Sequence, residues 1–201
     1  MEVFMTERDG VMERTGKLGK LDSPRRMAEL QPEWVLDCLG VSGSRVVCDI
    51  GAGSGVFTLA AARRTAGSVY AVETDGAILA VLAQRAEAAG LHTVRPLCVS
   101  AYAYDIPDHS VDVALLVTVL HEVDNRDALL AELGRILCGQ GRVCVIEFRK
   151  EQTPMGPPVS CRLGEDDVDG IFGAAAFVRV DSFALSGNFY GLVYARQGNN
   201  A

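Results

Sequence analysis

The sequence predicts an α/β fold in which helices cover both faces of a seven-stranded, mostly parallel sheet. Three observations predict it: short apolar runs alternate with stretches of helical periodicity, the first apolar run breaks into a glycine-rich turn, and the last two runs follow each other without a helix between them. The chain has 201 residues, which is within the usual size of one domain. We therefore expect residues 1–201 to form a single domain.

The first elements are predicted to cap the sheet. The polar residues that open the chain should form a flexible or lid-like segment. Ser23 followed by Pro24 marks the start of a short helix, and a second short helix is expected after Pro32. We assign residues 1–40 to an N-terminal helical lid and residues 41–196 to the core.

Seven strands are predicted from apolar runs, and helices separate all but the last two. The strands lie at about residues 45–50, 68–73, 93–98, 112–117, 142–148, 177–184 and 188–195. Asp124 and Asn125 should cap the helix that precedes the fifth strand. Ser186, Gly187 and Asn188 can turn the last pair into an antiparallel hairpin. Because ligands bind outside the carboxyl ends of parallel strands, functional residues are expected at that edge.

The most informative turn of the chain follows the first strand. Asp49 and Ile50 lead into the run Gly51-Ala52-Gly53-Ser54-Gly55, which has glycine at alternate positions. Glycine permits a sharp turn and lets a ligand lie against bare backbone. The dinucleotide pattern G-x-G-x-x-G is not matched, because Val56 stands where its last glycine would be. The run is either a site for another nucleotide-like ligand or an ordinary strand-to-helix turn.

The second strand ends on an acid, Glu73, 18 residues after Gly55. A carboxylate at this position can accept hydrogen bonds from both hydroxyls of a ribose. The alternative is a solvated charge at a strand end. Beside the glycine turn, the ribose role is favoured.

These residues resemble the class I S-adenosylmethionine-dependent methyltransferases. The first motif of that family is similar to Asp49–Gly55, and its ribose acid would be Glu73. Further segments are similar in order and spacing, namely Asp105–Val113 before the fourth strand, Val119–Val123 after it, and Leu133–Gly141 as the helix and glycine turn before the fifth strand. The likeness covers about residues 20–196. It is greatest to the type 11 small-molecule branch, which includes ubiquinone and menaquinone C-methyltransferases.

The resemblance implies a Rossmann-like fold, S-adenosylmethionine as the cofactor and a cofactor-binding core at residues 41–196. The residues implied to contact the cofactor are Asp49, Gly51, Ala52, Gly53, Gly55, Glu73, Thr74, Ser100, Ala101 and Val117. Ser100 departs from the family pattern, in which an aspartate or glutamate often meets the adenine amino group, and a hydroxyl accepts more weakly. Asp49 is expected to brace the glycine turn or to approach the cofactor amino group through water.

Methyl transfer depends chiefly on orienting two reactants, so it requires little acid–base machinery. Where the acceptor must lose a proton, His121 is the predicted catalytic residue, because it follows the fourth strand and its pKa suits proton removal near neutrality. The alternative is that His121 packs on the cofactor or hydrogen-bonds backbone. Glu147 is either a substrate-side carboxylate or a strand-end charge that reaches solvent.

The loop Glu151–Leu163 contains Pro154, Pro157 and Pro158 and is too long for a simple connector. It is predicted to wall the substrate pocket. Arg162 in this loop either meets an anionic substrate or is a solvated cation.

Composition and charge exclude further classes of function. The net charge of -7 argues against nucleic-acid binding through phosphate neutralisation. The N-terminus is too charged for a signal peptide, and no run approaches the ~18 apolar residues of a membrane span, so a cytoplasmic location is expected. Six cysteines without C-x-x-C spacing fit buried thiols in a reducing compartment. A metal site, or the thiol set of an arsenite methyltransferase, would need distant cysteines to converge.

The sequence thus predicts a S-adenosylmethionine-dependent methyltransferase that acts on an unidentified small molecule and forms either a monomer or a homodimer. Two alternatives stay open. One is a catalytically silent module that binds the cofactor or another protein, and the other is a dinucleotide-dependent oxidoreductase.

Overall fold

The computed structural model describes residue 16 and residues 18–198. The rest of the predicted lid, residues 1–15 and 17, lies outside this part of the chain. The strands are β1 (Val47–Ile50), β2 (Val69–Glu73), β3 (Val94–Cys98), β4 (Val111–Val117), β5 (Leu137–Phe148), β6 (Phe177–Ala184) and β7 (Phe189–Arg196). They form one sheet in the order β3-β2-β1-β4-β5-β7-β6.

Strands β1 to β5 run parallel, whereas β7 is antiparallel to both β5 and β6. The predicted mostly parallel sheet with a C-terminal antiparallel hairpin is therefore confirmed. The hairpin arises because no helix intervenes between the last two strands, so the chain returns directly beside its neighbour.

After a helical stretch at residues 18–21, the helices are α1 (Pro24–Leu30), α2 (Pro32–Cys38), α3 (Val56–Ala62), α4 (Gly76–Ala88), α5 (Arg126–Ile136) and α6 (Glu165–Ala174). Short 3₁₀ turns cover Leu120–Glu122 and Val159–Cys161. Side chains alternate between the two faces of a strand, so the buried strand β4 supplies both cores. Val113 and Leu115 pack in the core that includes residues of α2, α3 and α4, while Ala114 and Leu116 pack with α5 and α6.

The predicted helix starts are in place. The Ser23 side chain accepts a hydrogen bond from the Arg26 N–H at 3.3 Å, and Pro24 is the first residue of α1. The Asn125 side chain accepts from the Ala128 N–H at 3.0 Å and so caps α5. These side chains satisfy N–H groups that the helices leave free.

Strand β5 begins earlier than predicted. Leu137 is already paired with Val111, and the regular pairing resumes only at Arg142 with Val113, so residues 138–141 bulge out of the ladder. Leu137 adopts an extended backbone and ends α5 without a glycine cap. The predicted glycine turn is therefore an excursion within the strand, which the prediction of a start at residue 142 missed.

The segment around α1 crosses the carboxyl ends of the strands and is fixed at both ends. Near the glycine turn, Asp22 forms an ion pair with Arg85 at 2.7 Å, and Arg85 also donates to the Ser54 carbonyl at 3.0 Å. At the other end, Glu29 accepts a hydrogen bond from the Asn188 side chain in the β6–β7 turn. The α1 segment thus connects the two sides of the crevice.

Candidate functional site

The glycine turn directly follows the carboxyl end of β1. The N–H groups of Gly51 and Ala52 both donate to the Val72 carbonyl of β2, at 2.8 and 3.0 Å. Gly51 has φ +69°, and a Cβ at this position would clash with Val119. Gly55 has φ +90°, and a Cβ there would lie 2.8 Å from Leu82 Cγ. Only glycine meets both the backbone and the space requirements, so the turn packs closely against the segment after β4.

Glu73 is joined directly to this turn. Its Oε2 accepts a hydrogen bond from the Gly53 N–H at 2.9 Å, and its Oε1 accepts from the N–H groups of Thr74 and Asp75 at 2.8 and 3.1 Å. The residue is 8% exposed, so the alternative of a solvated strand-end charge is wrong. A carboxylate oxygen has more than one acceptor position, and Oε2 can accept a further hydrogen bond.

Asp49 closes the base of the glycine turn. It is buried and accepts a hydrogen bond from the Thr58 hydroxyl at 2.6 Å, which links the strand before the turn to helix α3 after it. Burial raises the pKa of Asp49 to about 6. The nearby charge of Glu73 also raises this pKa, whereas the hydrogen bonds from Thr58 lower it. This contact supports the bracing role, and an approach to the cofactor amino group through water stays a prediction.

The remaining predicted cofactor residues lie at the same edge of the sheet. Thr74 follows Glu73 and its hydroxyl lies 3.2 Å from Glu73 Oε1. Ser100 and Ala101 follow β3 and are exposed, and Val117 is the half-buried last residue of β4. The strand order places these segments side by side, in the order β3, β2, β1 and β4. An adenine contact by Ser100 stays a prediction.

His121 forms a dyad with Glu147. Its Nδ1 lies 2.8 Å and 3.0 Å from the two carboxylate oxygens, and its backbone N–H donates to the same carboxylate at 3.2 Å. Glu147 is 1% exposed, so the alternative of a strand-end charge that reaches solvent is wrong. With Nδ1 donating to the carboxylate, Nε2 is left as the proton acceptor of the neutral ring.

The dyad also changes the basicity of the imidazole. Burial disfavours the charged ring, but the hydrogen bond and negative charge of Glu147 outweigh it, so the pKa of His121 is raised above its ordinary value. The exposed Glu122 adds to this effect, with its carboxylate 3.7 Å from Nε2. A buried carboxylate that orients a histidine is an arrangement suited to general-base catalysis.

A cavity of about 530 Å³ opens beside His121. Its lining includes Arg126, Lys150, Cys161 and Leu163. Lys150 is paired with Asp167 at 2.7 Å. A separate cavity of about 340 Å³ is lined in part by Arg45 and Arg142, near the amino ends of the parallel strands. Only the first of these two cavities contains a residue that sequence analysis predicted to be catalytic.

Arg162 organises the loop that borders this cavity. The residue is 4% exposed and lies with its guanidinium 5.4 Å from the centre of the Phe148 ring. Its nitrogen atoms donate at 2.6 to 3.1 Å to the carbonyls of Arg149, Glu151, Met155 and Pro157 and to the Thr153 hydroxyl. The prediction of a solvated cation is wrong, because Arg162 is buried, whereas contact with an anionic substrate stays a prediction, because Arg162 also lines the cavity beside His121.

Arg162→Ala should lower the free energy of unfolding by about 2 to 4 kcal/mol, because four partly buried carbonyls and the buried Thr153 hydroxyl lose a charged donor together. Urea denaturation measures this change. Arg63→Ala is the control, since Arg63 is exposed, and its effect should stay below about 0.5 kcal/mol. A loss for Arg162→Ala that matches the control would contradict a structural role.

Arg26 joins the site at Thr118, in the turn after β4, although Arg26 was not predicted there. Thr118 follows Val117 with φ +56°, and its hydroxyl accepts a hydrogen bond from Arg26 Nη2 at 2.8 Å. The available signal was the pair Arg25-Arg26 at the start of a helix. Arg25 bonds Glu29 on the exposed side, at 3.0 Å, while Arg26 reaches into the crevice.

The thiols are only partly as predicted. Cys48 and Cys144 are buried, Cys138 is half-buried, and Cys38, Cys98 and Cys161 are exposed, all as free thiols. Within residue 16 and residues 18–198, no three His, Cys, Asp or Glu side chains gather in a way that could hold a metal ion. In the same part of the chain, no helix combines the length and the apolar character needed to span a membrane.

Comparisons with known proteins bear on this site. A family model described as a methyltransferase domain matches residues 48–145, a range that contains the glycine turn, Glu73 and His121. The ubiquinone/menaquinone biosynthesis C-methyltransferase UbiE of Paraburkholderia phymatum is 33% identical over 111 residues, which cover 54% of this chain and 45% of that protein. UbiE of Idiomarina loihiensis is 30% identical over 139 residues, or 68% and 53% of the two chains. This chain therefore spans about half the length of these curated relatives.

Among solved structures, a SAM dependent methyltransferase from Aquifex aeolicus superposes with a TM-score of 0.84 at 25% sequence identity. The match covers 89% of this chain and 96% of that one. The likeness thus extends over the whole sheet, including the C-terminal hairpin that the family model does not reach.

Proposed function

Because the chain belongs to the class I S-adenosylmethionine-dependent methyltransferases, in their type 11 small-molecule branch, we propose that it methylates a small-molecule acceptor. The observation that carries the proposal is the proximity of three parts at one sheet edge. The glycine turn, Glu73 and the segment with His121 meet there, and Val119 packs on Gly51 to join them.

The residues present fit the cofactor. Glu73 is joined to the glycine turn through the Gly53 N–H, and its Oε2 has acceptor capacity for a ribose hydroxyl. We assign the cofactor contacts to Asp49, Gly51, Ala52, Gly53, Gly55, Glu73, Thr74, Ser100, Ala101 and Val117. When bound, S-adenosylmethionine supplies an electrophilic methyl group on a sulfonium.

His121 is proposed as the general base. Its Nε2 is free to take a proton from the acceptor, while the buried Glu147 holds the ring by Nδ1. The cavity beside His121 is the proposed acceptor site, since a volume of about 530 Å³ suits a small molecule. The loop around Arg162 forms part of its wall.

Two measurements test this function. Isothermal titration should detect binding of S-adenosylmethionine and S-adenosylhomocysteine, and no binding of NAD. Transfer of a labelled methyl group should then be screened against small-molecule fractions of the native cell extract. Absence of binding would remove the central support for a methyltransferase, whereas binding without transfer to any fraction would favour the silent cofactor-binding module.

The dyad predicts a specific pKa change. Glu147→Gln removes the negative charge that stabilises the imidazolium, so the pKa of His121 should fall relative to the wild type. NMR titration of the ring protons measures it without an acceptor. The other histidines, His92 and His109, serve as internal controls and should not move. Once an acceptor is known, the acid limb of the rate profile should shift to lower pH, and an unchanged His121 pKa would contradict the dyad.

A further inference from the structure

Arg26 brings a positive charge to the crevice without a carboxylate partner. The half-buried guanidinium donates through Nη2 to the neutral Thr118 hydroxyl at 2.8 Å and lies 5.8 Å from the centre of the Phe189 ring. Among the residues that the structure describes, Arg26 forms no ion pair. Burial lowers the pKa of Arg26, while the charge of Glu147 opposes that change. An arginine remains protonated under these conditions.

Glu147, the acid whose charge acts on Arg26, already accepts hydrogen bonds from other groups. Glu147 accepts from His121 Nδ1 at 2.8 Å, and it also accepts from the backbone N–H groups of His121 and Phe148. The hydroxyl of Thr118 accepts from one N–H of Arg26, and a guanidinium carries five N–H groups. Because a half-buried cation is stabilised by a paired anion, the remaining donors of Arg26 favour an anionic ligand.

The strand order indicates where Arg26 lies relative to the proposed ribose site. Ile50 of β1 is paired with Leu116 of β4, so the glycine turn continues beside Val117 and Thr118. Glu73 ends β2, on the other side of β1, and neighbouring strands are about 4.8 Å apart. Thr118, which bonds Arg26, therefore follows a strand end that lies two strand spacings, or about 10 Å, from the strand end that carries Glu73.

The cofactor has a matching linear order of adenine, ribose, sulfonium and amino acid. With the ribose at Glu73 and the adenine toward Ser100 after β3, the amino-acid end extends across β1 toward β4. That end carries a carboxylate, which a guanidinium can bind with two parallel hydrogen bonds.

We propose that Arg26 binds the carboxylate of the methionine part of S-adenosylmethionine, with Thr118 orienting the guanidinium. The inference rests on the proposed function. It makes helix α1 part of the cofactor site, because the cation comes from the segment that crosses the strand ends.

The test compares two ligands that differ only in the carboxylate. S-adenosylhomocysteine has it, and S-adenosyl-3-thiopropylamine lacks it. Arg26→Gln should weaken binding of S-adenosylhomocysteine by about 10- to 100-fold and leave binding of the decarboxylated analogue unchanged. Arg25→Gln is the matched control, since Arg25 bonds Glu29 on the exposed side, and it should change neither affinity.

Other outcomes overturn the inference. Equal weakening of both ligands, or no weakening of either, would show that Arg26 does not recognise the carboxylate. Arg26→Lys retains the charge and should keep part of the preference for S-adenosylhomocysteine, and its melting temperature checks that the fold is intact. If the wild-type protein binds neither ligand, the proposed function fails as well. If the wild-type protein binds both ligands with the same affinity, only the role of Arg26 is overturned.

Discussion

Replacing His121 with asparagine should slow methyl transfer by about 10²- to 10⁴-fold while leaving the affinity for S-adenosylhomocysteine almost unchanged. The rate falls because the side-chain nitrogen that takes the acceptor proton is lost. Asparagine keeps an amide N–H that can still donate to Glu147, so the buried carboxylate retains a partner. The effect on rate is thereby separated from an effect on folding.

The measurement is single-turnover transfer of a labelled methyl group at saturating cofactor. His109→Asn is the matched control, because His109 precedes β4, at the opposite end of that strand from His121, and asparagine tolerates its φ of +53°. The control should retain the wild-type rate. A wild-type rate in His121→Asn would mean that the acceptor needs no base and that His121 only packs in the site.

Glu73→Gln should weaken binding of S-adenosylhomocysteine by about 10²-fold or more. An ionised carboxylate accepts hydrogen bonds on both oxygens, and bonds to a charged acceptor are about twice as strong as neutral ones. Glutamine offers one acceptor oxygen, and its NH₂ group would face the N–H donors of Gly53 or of Thr74 and Asp75. The substitution therefore removes the ribose acceptor and disturbs the glycine turn together.

Titration calorimetry of the wild-type and variant proteins with S-adenosylhomocysteine measures the loss of affinity. It is carried out well below the melting temperature of each protein. Glu87→Gln, an exposed position on α4, removes the same charge away from the crevice and should bind normally. Wild-type affinity in Glu73→Gln would contradict the ribose role. A second ligand, adenosine, should show the same dependence on Glu73, since it retains both ribose hydroxyls.

Much of the fold was predictable because it depends on local patterns. Buried parallel strands require apolar runs, and the helix caps require the side chains found at Ser23 and Asn125. The start of β5 was missed because Leu137 leaves α5 in an extended conformation and pairs with Val111, a contact that no local signal marks. Glycines at 139 and 141 instead suggested a turn.

The site was predictable only in part, for a related reason. The glycine turn and Glu73 have fixed spacing along the chain, so they could be identified from sequence. The dyad joins residues 26 positions apart, and the contact of Arg26 with Thr118 spans 92 positions. Sequence alone placed His121 near the crevice, but the partner of each charged side chain depends on how the strands and α1 pack.

The buried guanidinium of Arg162 has a consequence for the dynamics of the site. Because one cation holds five acceptors spread over the loop from Arg149 to Pro157, no single part of that loop can open without loosening the others. Opening of this loop should therefore be a cooperative event. Because Arg162 also lines the cavity beside His121, this wall of the cavity should behave as a fixed scaffold.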